Sequence, residues 1–91
     1  MDELTTTGRQ LNSTSVDFLR IDAETALTFT GLALETDNPE KKDRNRKNAR
    51  KAYDTILHLW DRVTFTSAEE AYMKATMERL KRELIQLGEK F

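Results

Sequence analysis

A single proline, Pro39, and three glycines are almost all that this chain of 91 residues offers to interrupt a helix. With so few breakers, long uninterrupted helices are the natural way to organise it. Thr36-Asp37-Asn38-Pro39 is the clearest punctuation. Proline drives the residue before it away from the helical region, and Asn38 is suited to cap a helix that has Pro39 at its first position.

Periodicity supplies the helices on either side. Before the break, a first helix is expected from a Ser13/Ser15 cap to about Glu35. Asp17, Arg20, Glu24, Thr28, Gly31 and Glu35 mark its polar stripe. Phe18, Leu19, Ala23, Ala26, Leu27, Phe29, Ala33 and Leu34 form an apolar face wide enough to touch two neighbours. Residues 1 to 14 are rich in Thr and Ser and lack periodicity, so they read as a flexible arm ahead of a single domain over residues 15 to 91.

After the break, Ala49, Ala52, Tyr53, Ile56, Leu57, Trp60 and Val63 follow the i, i+3, i+4, i+7 pattern of a second helix. Thr66-Ser67-Ala68-Glu69 has the form of a capping box, with Ser67 to Glu70 as an overlapping alternative. A third helix then carries Met73, Met77, Leu80, Leu84 and Leu87, flanked by Ala71, Tyr72 and Ile85. Glu78 and Arg82 are spaced for an i, i+4 ion pair, and Gly88 is a natural terminator. The fold expected is all-α with three helices: an antiparallel hairpin plus a third helix that packs on it or caps it.

Residues 40 to 47 conflict with this scheme. Lys42, Asn45 and Arg46 occupy the positions in register with Ala49, and such side chains replace a core face only at a cost. Either this stretch is a loop or short turn and the helix starts near Asn48, or the helix is continuous and long aliphatic stems cover the core. A break or bend is the preferred reading.

The same segment is the candidate binding surface. Lys41, Lys42, Arg44, Arg46, Lys47, Arg50 and Lys51 face only Glu40 and Asp43, a local net charge of +5 in a chain whose total is −1. Such a cluster can neutralise phosphates or dock an acidic partner. The spacing of Glu40 to Arg44 and Asp43 to Lys47 equally suits a solvated helix face, or one that pairs with acidic helix ends of the same chain. The segment has no aromatic residue to stack on an exposed base.

Catalytic chemistry finds little to work with. Cysteine is absent, which removes thiolate nucleophiles, disulfides and cysteine metal sites. His58 is the only histidine and lies on the polar side of its helix, with Asp54 and Arg62 one turn away. No Glu-x-x-His pair, nucleophile elbow, phosphate loop or dinucleotide fingerprint is present. No enzymatic activity, cofactor or metal is therefore expected. The opening residues have neither a basic region nor an apolar core of the secretory type, and no apolar run approaches membrane-spanning length, so a soluble cytoplasmic protein is expected.

At the hairpin, Leu27-x-x-Thr30-Gly31-x-x-Leu34 followed by Ala49-x-x-x-Tyr53-x-x-Ile56 resembles a single tetratricopeptide repeat over residues 23 to 63. In that family's pattern the small Gly31 and Ala49 would let the two helices approach closely, and the third helix would act as a cap. Ile56 stands where a small residue is usual, Asp61 where the closing proline belongs, and the connection reads about six residues too long. The resemblance implies a scaffold for protein or peptide partners. Together these readings point to a non-enzymatic protein–protein interaction module, with a homodimer among its open states. Electrostatic binding of nucleic acid or of an acidic partner through residues 41 to 51 is the alternative.

Overall fold

In the computed structural model the backbone is described for residues 2–91, and side chains for Asn12 and residues 14–91. Three helices are joined by short connections: α1 Asp2–Glu35, α2 Pro39–Leu59 and α3 Ser67–Gln86, with one 3₁₀ turn, Trp60–Arg62, closing α2. No strand occurs among the described residues.

The connection between α1 and α2 is three residues long, and Thr36, Asn38 and Pro39 each have a function in the stop signal. Thr36 Oγ1 accepts the Asn38 backbone N–H at 3.2 Å. Asn38 Oδ1 in turn accepts the N–H groups of Glu40 and Lys41, both at 3.0 Å. Pro39 enters at the first helical position, where its missing N–H costs nothing. At α3 the capping box forms as the sequence predicts: Glu69 N–H donates to Thr66 Oγ1 at 3.1 Å, and Thr66 N–H donates to Glu69 Oε1 at 2.8 Å. Gly88 ends α3 with φ of +100°, a left-handed conformation that disfavours a Cβ. Its N–H donates to Ile85 O and the Glu89 N–H to Leu84 O, each at 2.9 Å, which is the Schellman closure.

Two expected boundaries are corrected. The α1 backbone is helical from Asp2, not from Ser13/Ser15. Most side chains of the segment read as an arm lie outside the described residues, but Asn12 belongs to the fold. Its Nδ2 donates to Thr64 O at 3.1 Å and its Oδ1 accepts the Thr64 N–H at 2.9 Å. That side-chain clamp ties α1 to the α2–α3 connection, a tertiary contact that Thr- and Ser-rich composition gives no hint of.

The second correction concerns residues 40 to 47, which form no loop or bend: α2 is continuous from Pro39. The helix survives its polar registry because Lys42 stays exposed, while Asn45 and Arg46 are only half-buried. Arg46 also finds carboxylates on both sides, Asp43 on its own helix and Glu89 beyond α3. A charge at the edge of the core is tolerated when it is paired in this way.

α1 packs against both other helices, antiparallel to α2 and parallel to α3. The core draws Leu19, Ala23 and Ala26 from α1, Ala49, Tyr53 and Ile56 from α2, and Met73, Met77, Leu80 and Leu84 from α3. Trp60 and Phe65 close one end, ring centroids 4.8 Å apart. Small residues dominate the inner face of α1, where Ala23, Ala26, Thr30 and Ala33 are all fully enclosed. Thr30 is the polar member of that set. Its hydroxyl proton lies between Glu83 Oε1 at 2.5 Å and the Leu27 carbonyl at 3.0 Å, which fixes α1 against α3.

Candidate functional site

The continuity of α2 sorts the seven basic residues onto two faces. At 100° per residue, Arg46 and Arg50 share one face, and Lys41, Arg44, Lys47 and Lys51 fall within an arc of about 120° on another. Lys42 lies at the border and is exposed.

The Arg46/Arg50 face is engaged within the molecule. Arg46 Nη1 donates to Glu89 Oε2 at 2.5 Å and Arg50 Nη1 to Glu89 Oε1 at 3.1 Å, so one carboxylate bridges the two arginines. Arg50 Nη1 also reaches the Lys90 carbonyl at 2.7 Å, and Arg50 Nε donates to Asp54 at 3.1 Å. The Arg50 guanidinium stands 4.0 Å over the Phe91 ring, and that ring meets Tyr53 edge-on at 5.0 Å. The segment following Gly88 therefore lies along α2 and occupies two of the seven basic residues, Arg46 and Arg50.

The outer face is open. Lys47 pairs with Asp43 at 2.9 Å. Hydrogen bonds from Lys47 and Arg46 hold the Asp43 carboxyl below its usual range. Lys41, Lys42, Arg44 and Lys51 are exposed and make no ion pair with a described residue. The spacing of Glu40 to Arg44 thus yields no bridge, and on α3 the observed pairs are Lys74 with Glu70 at 3.2 Å and Arg79 with Glu83 at 2.8 Å, where Glu78 with Arg82 was expected.

A second surface lies on α1. The apolar face of α1 is wider than its two neighbours cover, and Phe18 and Leu34, both expected inside, are exposed. Phe18, Ile21 and Leu32 retain 58%, 55% and 48% of their surface. They project within an arc of about 60° at 100° per residue, together with Thr25. Asp17, Asp22, Glu24 and Glu35 border this stripe, with Arg20 between Asp17 (3.6 Å) and Glu24 (3.8 Å). Burial raises the Asp22 carboxyl above its ordinary value.

At its Phe18 end the stripe runs into a shallow groove of about 350 Å³, lined by Thr14, Ser15, Phe18, Leu19, Leu59, Arg62 and Val63. The Asn12–Thr64 clamp fixes the connection that forms its far wall. The separation of Phe18, Ile21 and Leu32 by three and eleven residues was a usable sequence signal. Hydropathy alone does not say which part of a broad apolar arc its neighbours will cover.

His58 is exposed, and Asp54 beside it is taken up by Arg50. Among the described residues, no group of three His, Cys, Asp or Glu side chains is placed to hold a metal ion, and no helix is long and apolar enough to cross a membrane.

Comparison with known protein families, with curated proteins and with solved structures returns no match. The tetratricopeptide likeness thus rests on its residues. Thr30, Ala49, Tyr53 and Ile56 are buried, Thr30 with its hydroxyl on Glu83 of α3, and the connection is short, contrary to the long one expected. Gly31 does not mark a close approach, since a Cβ there would meet nothing within 4 Å.

Proposed function

We propose that this protein is a non-enzymatic interaction module whose docking surface for a partner protein is the outer face of α1. The observation that carries this reading is the stripe of Phe18, Ile21 and Leu32, left uncovered on a helix whose other side is closely packed. Isolated exposed apolar residues are ordinary, but an aligned set opening into an apolar groove is what an amphipathic partner helix requires. The border of four carboxylates against Arg20 favours a partner with basic flanks. Self-association through this face would set the acidic border of one copy against that of the other, so a homodimer is the less suited arrangement.

The test uses a synthetic amphipathic helix with a leucine seam and lysine flanks. It binds the wild type, and binding weakens at least about tenfold when Phe18, Ile21 and Leu32 are all changed to Ser, a loss of about 1.4 kcal/mol. Because these side chains are exposed, the triple variant keeps its helix content and melting temperature. Equal affinity of the folded variant and the wild type refutes the reading. Sedimentation of both proteins alone reports self-association.

A second reading has its own observation, the open row of Lys41, Arg44, Lys47 and Lys51 on α2. It supports electrostatic binding of an acidic partner or of nucleic acid. That binding falls steeply between 50 and 200 mM salt, as apolar docking on α1 does not.

A further inference from the structure

Glu89, Lys90 and Phe91 sit on α2 in the manner of a bound peptide. The Glu89 carboxylate presents one oxygen to each arginine of an i, i+4 pair, Arg46 at 2.5 Å and Arg50 at 3.1 Å. Two residues on, the Phe91 ring lies 4.0 Å beneath the Arg50 guanidinium, 5.0 Å from the Tyr53 ring and 5.3 Å from Lys81 Nζ. Arg50 also binds the main chain between them, at the Lys90 carbonyl. One carboxylate, one ring and one backbone carbonyl are thus recognised in a fixed order.

The hold is nevertheless partial. The Glu89 side chain is 15% exposed, but the Phe91 residue is 50% exposed and neither belongs to the packed core. Gly88, left-handed at φ +100°, turns the chain back toward α2. Arg46 and Arg50 each keep a second carboxylate, Asp43 and Asp54, when Glu89 leaves, so the helix face does not become an array of unpaired charges. Such a segment can exchange with an external one of the same chemistry.

We propose that Arg46, Arg50 and Tyr53 form a binding site for a peptide segment with a glutamate and an aromatic residue two positions later, held closed in the free protein by Glu89-Lys90-Phe91. The inference stands apart from the α1 face, so neither depends on the other. A tethered segment competes at an effective concentration in the millimolar range, which masks the site from a free peptide.

The probe is the amide-capped peptide Leu-Gly-Glu-Lys-Phe carrying a fluorophore, titrated by anisotropy into the full chain. The variant Glu89→Gln/Phe91→Ala binds it at least about tenfold more tightly than the wild type, as removal of an intramolecular competitor requires. Adding Arg46→Gln and Arg50→Gln abolishes that gain. Equal affinity in wild type and opened variant overturns the proposal. So does a preference of the opened variant for duplex DNA over the peptide at equal salt, which makes the arginines a phosphate site. If the opened variant loses its helical circular dichroism, the wild type decides the matter. Millimolar peptide shifts the Arg46 and Arg50 side-chain NMR signals if the site exchanges, and leaves them in place if the segment is a permanent clasp.

Discussion

Thr30 gives the sharpest test of how the three helices are held in register. It is fully enclosed, and its hydroxyl reaches Glu83 at 2.5 Å across the α1–α3 contact. Thr30→Val keeps the branched shape and removes only the donor. A hydrogen bond to a charged acceptor contributes roughly 1.5–3 kcal/mol. Glu83 retains Arg79 at 2.8 Å and is 16% exposed, which places the loss at the lower end. The valine methyl recovers part of it, so the expected net destabilisation is about 1 kcal/mol, or a fall in melting temperature of about 4–8 °C for a domain of this size.

The net figure mixes two effects, so the decisive assay is a double-mutant cycle with Glu83→Met, which removes the acceptor, followed by urea unfolding. Coupling of about 1–1.5 kcal/mol is expected between the two positions, well beyond the usual additivity error of about 0.3–0.5 kcal/mol. A coupling within that error would show that the hydroxyl and carboxylate do not act as a pair, and the account of α1–α3 registry would fall with it.

Gly88→Ala forces a Cβ into the left-handed region and is expected to cost about 1–2 kcal/mol, with the amide protons of residues 88 to 91 exchanging faster in hydrogen–deuterium measurements. Asn12→Ala removes both bonds to Thr64 and is expected to cost about 1–2 kcal/mol in urea unfolding, while leaving the circular dichroism of the helices intact. The Tyr72 phenol donates to Glu24 at 2.6 Å, and that hydrogen bond, ahead of burial, raises its pKa above the ordinary phenol value. A folded-state pKa raised above the unfolded one contributes stability that is complete below the unfolded pKa and disappears as pH rises through the folded one. In ultraviolet titration, Glu24→Gln is expected to bring the Tyr72 phenolate transition down in pH; an unmoved transition would detach the shift from Glu24.

Much of the architecture is written locally. The stop at Thr36 to Pro39, the capping box at Thr66 and Glu69 and the turn at Gly88 each depend on residues a few positions apart, which a linear reading can pair. The stretch from Glu40 to Lys47 is different. Its helix is stabilised through Arg46 by Glu89, forty-three residues away, and no periodicity within the segment records that partner. The same distance problem hid Asn12, whose clamp on Thr64 spans fifty-two residues. The basic cluster was legible as a composition but not as two faces, because that division needed α2 to be continuous. On α1 the sequence showed more apolar surface than one contact needs and left open which part stays bare.

The alanine-lined inner face of α1 makes the two sides of one helix tolerate opposite kinds of change. Ala23, Ala26 and Ala33 have no room to grow, and a larger side chain at any of them would force the helices apart at a cost of about 1–3 kcal/mol. Phe18, Ile21 and Leu32 have unlimited room and no folding reason to remain large. In a saturation library of α1, selection for folding alone would keep the inner positions small and let the outer three drift to polar residues. If the outer face of α1 is the docking surface proposed above, selection for binding would hold those three apolar as well, and the difference between the two libraries would read it out.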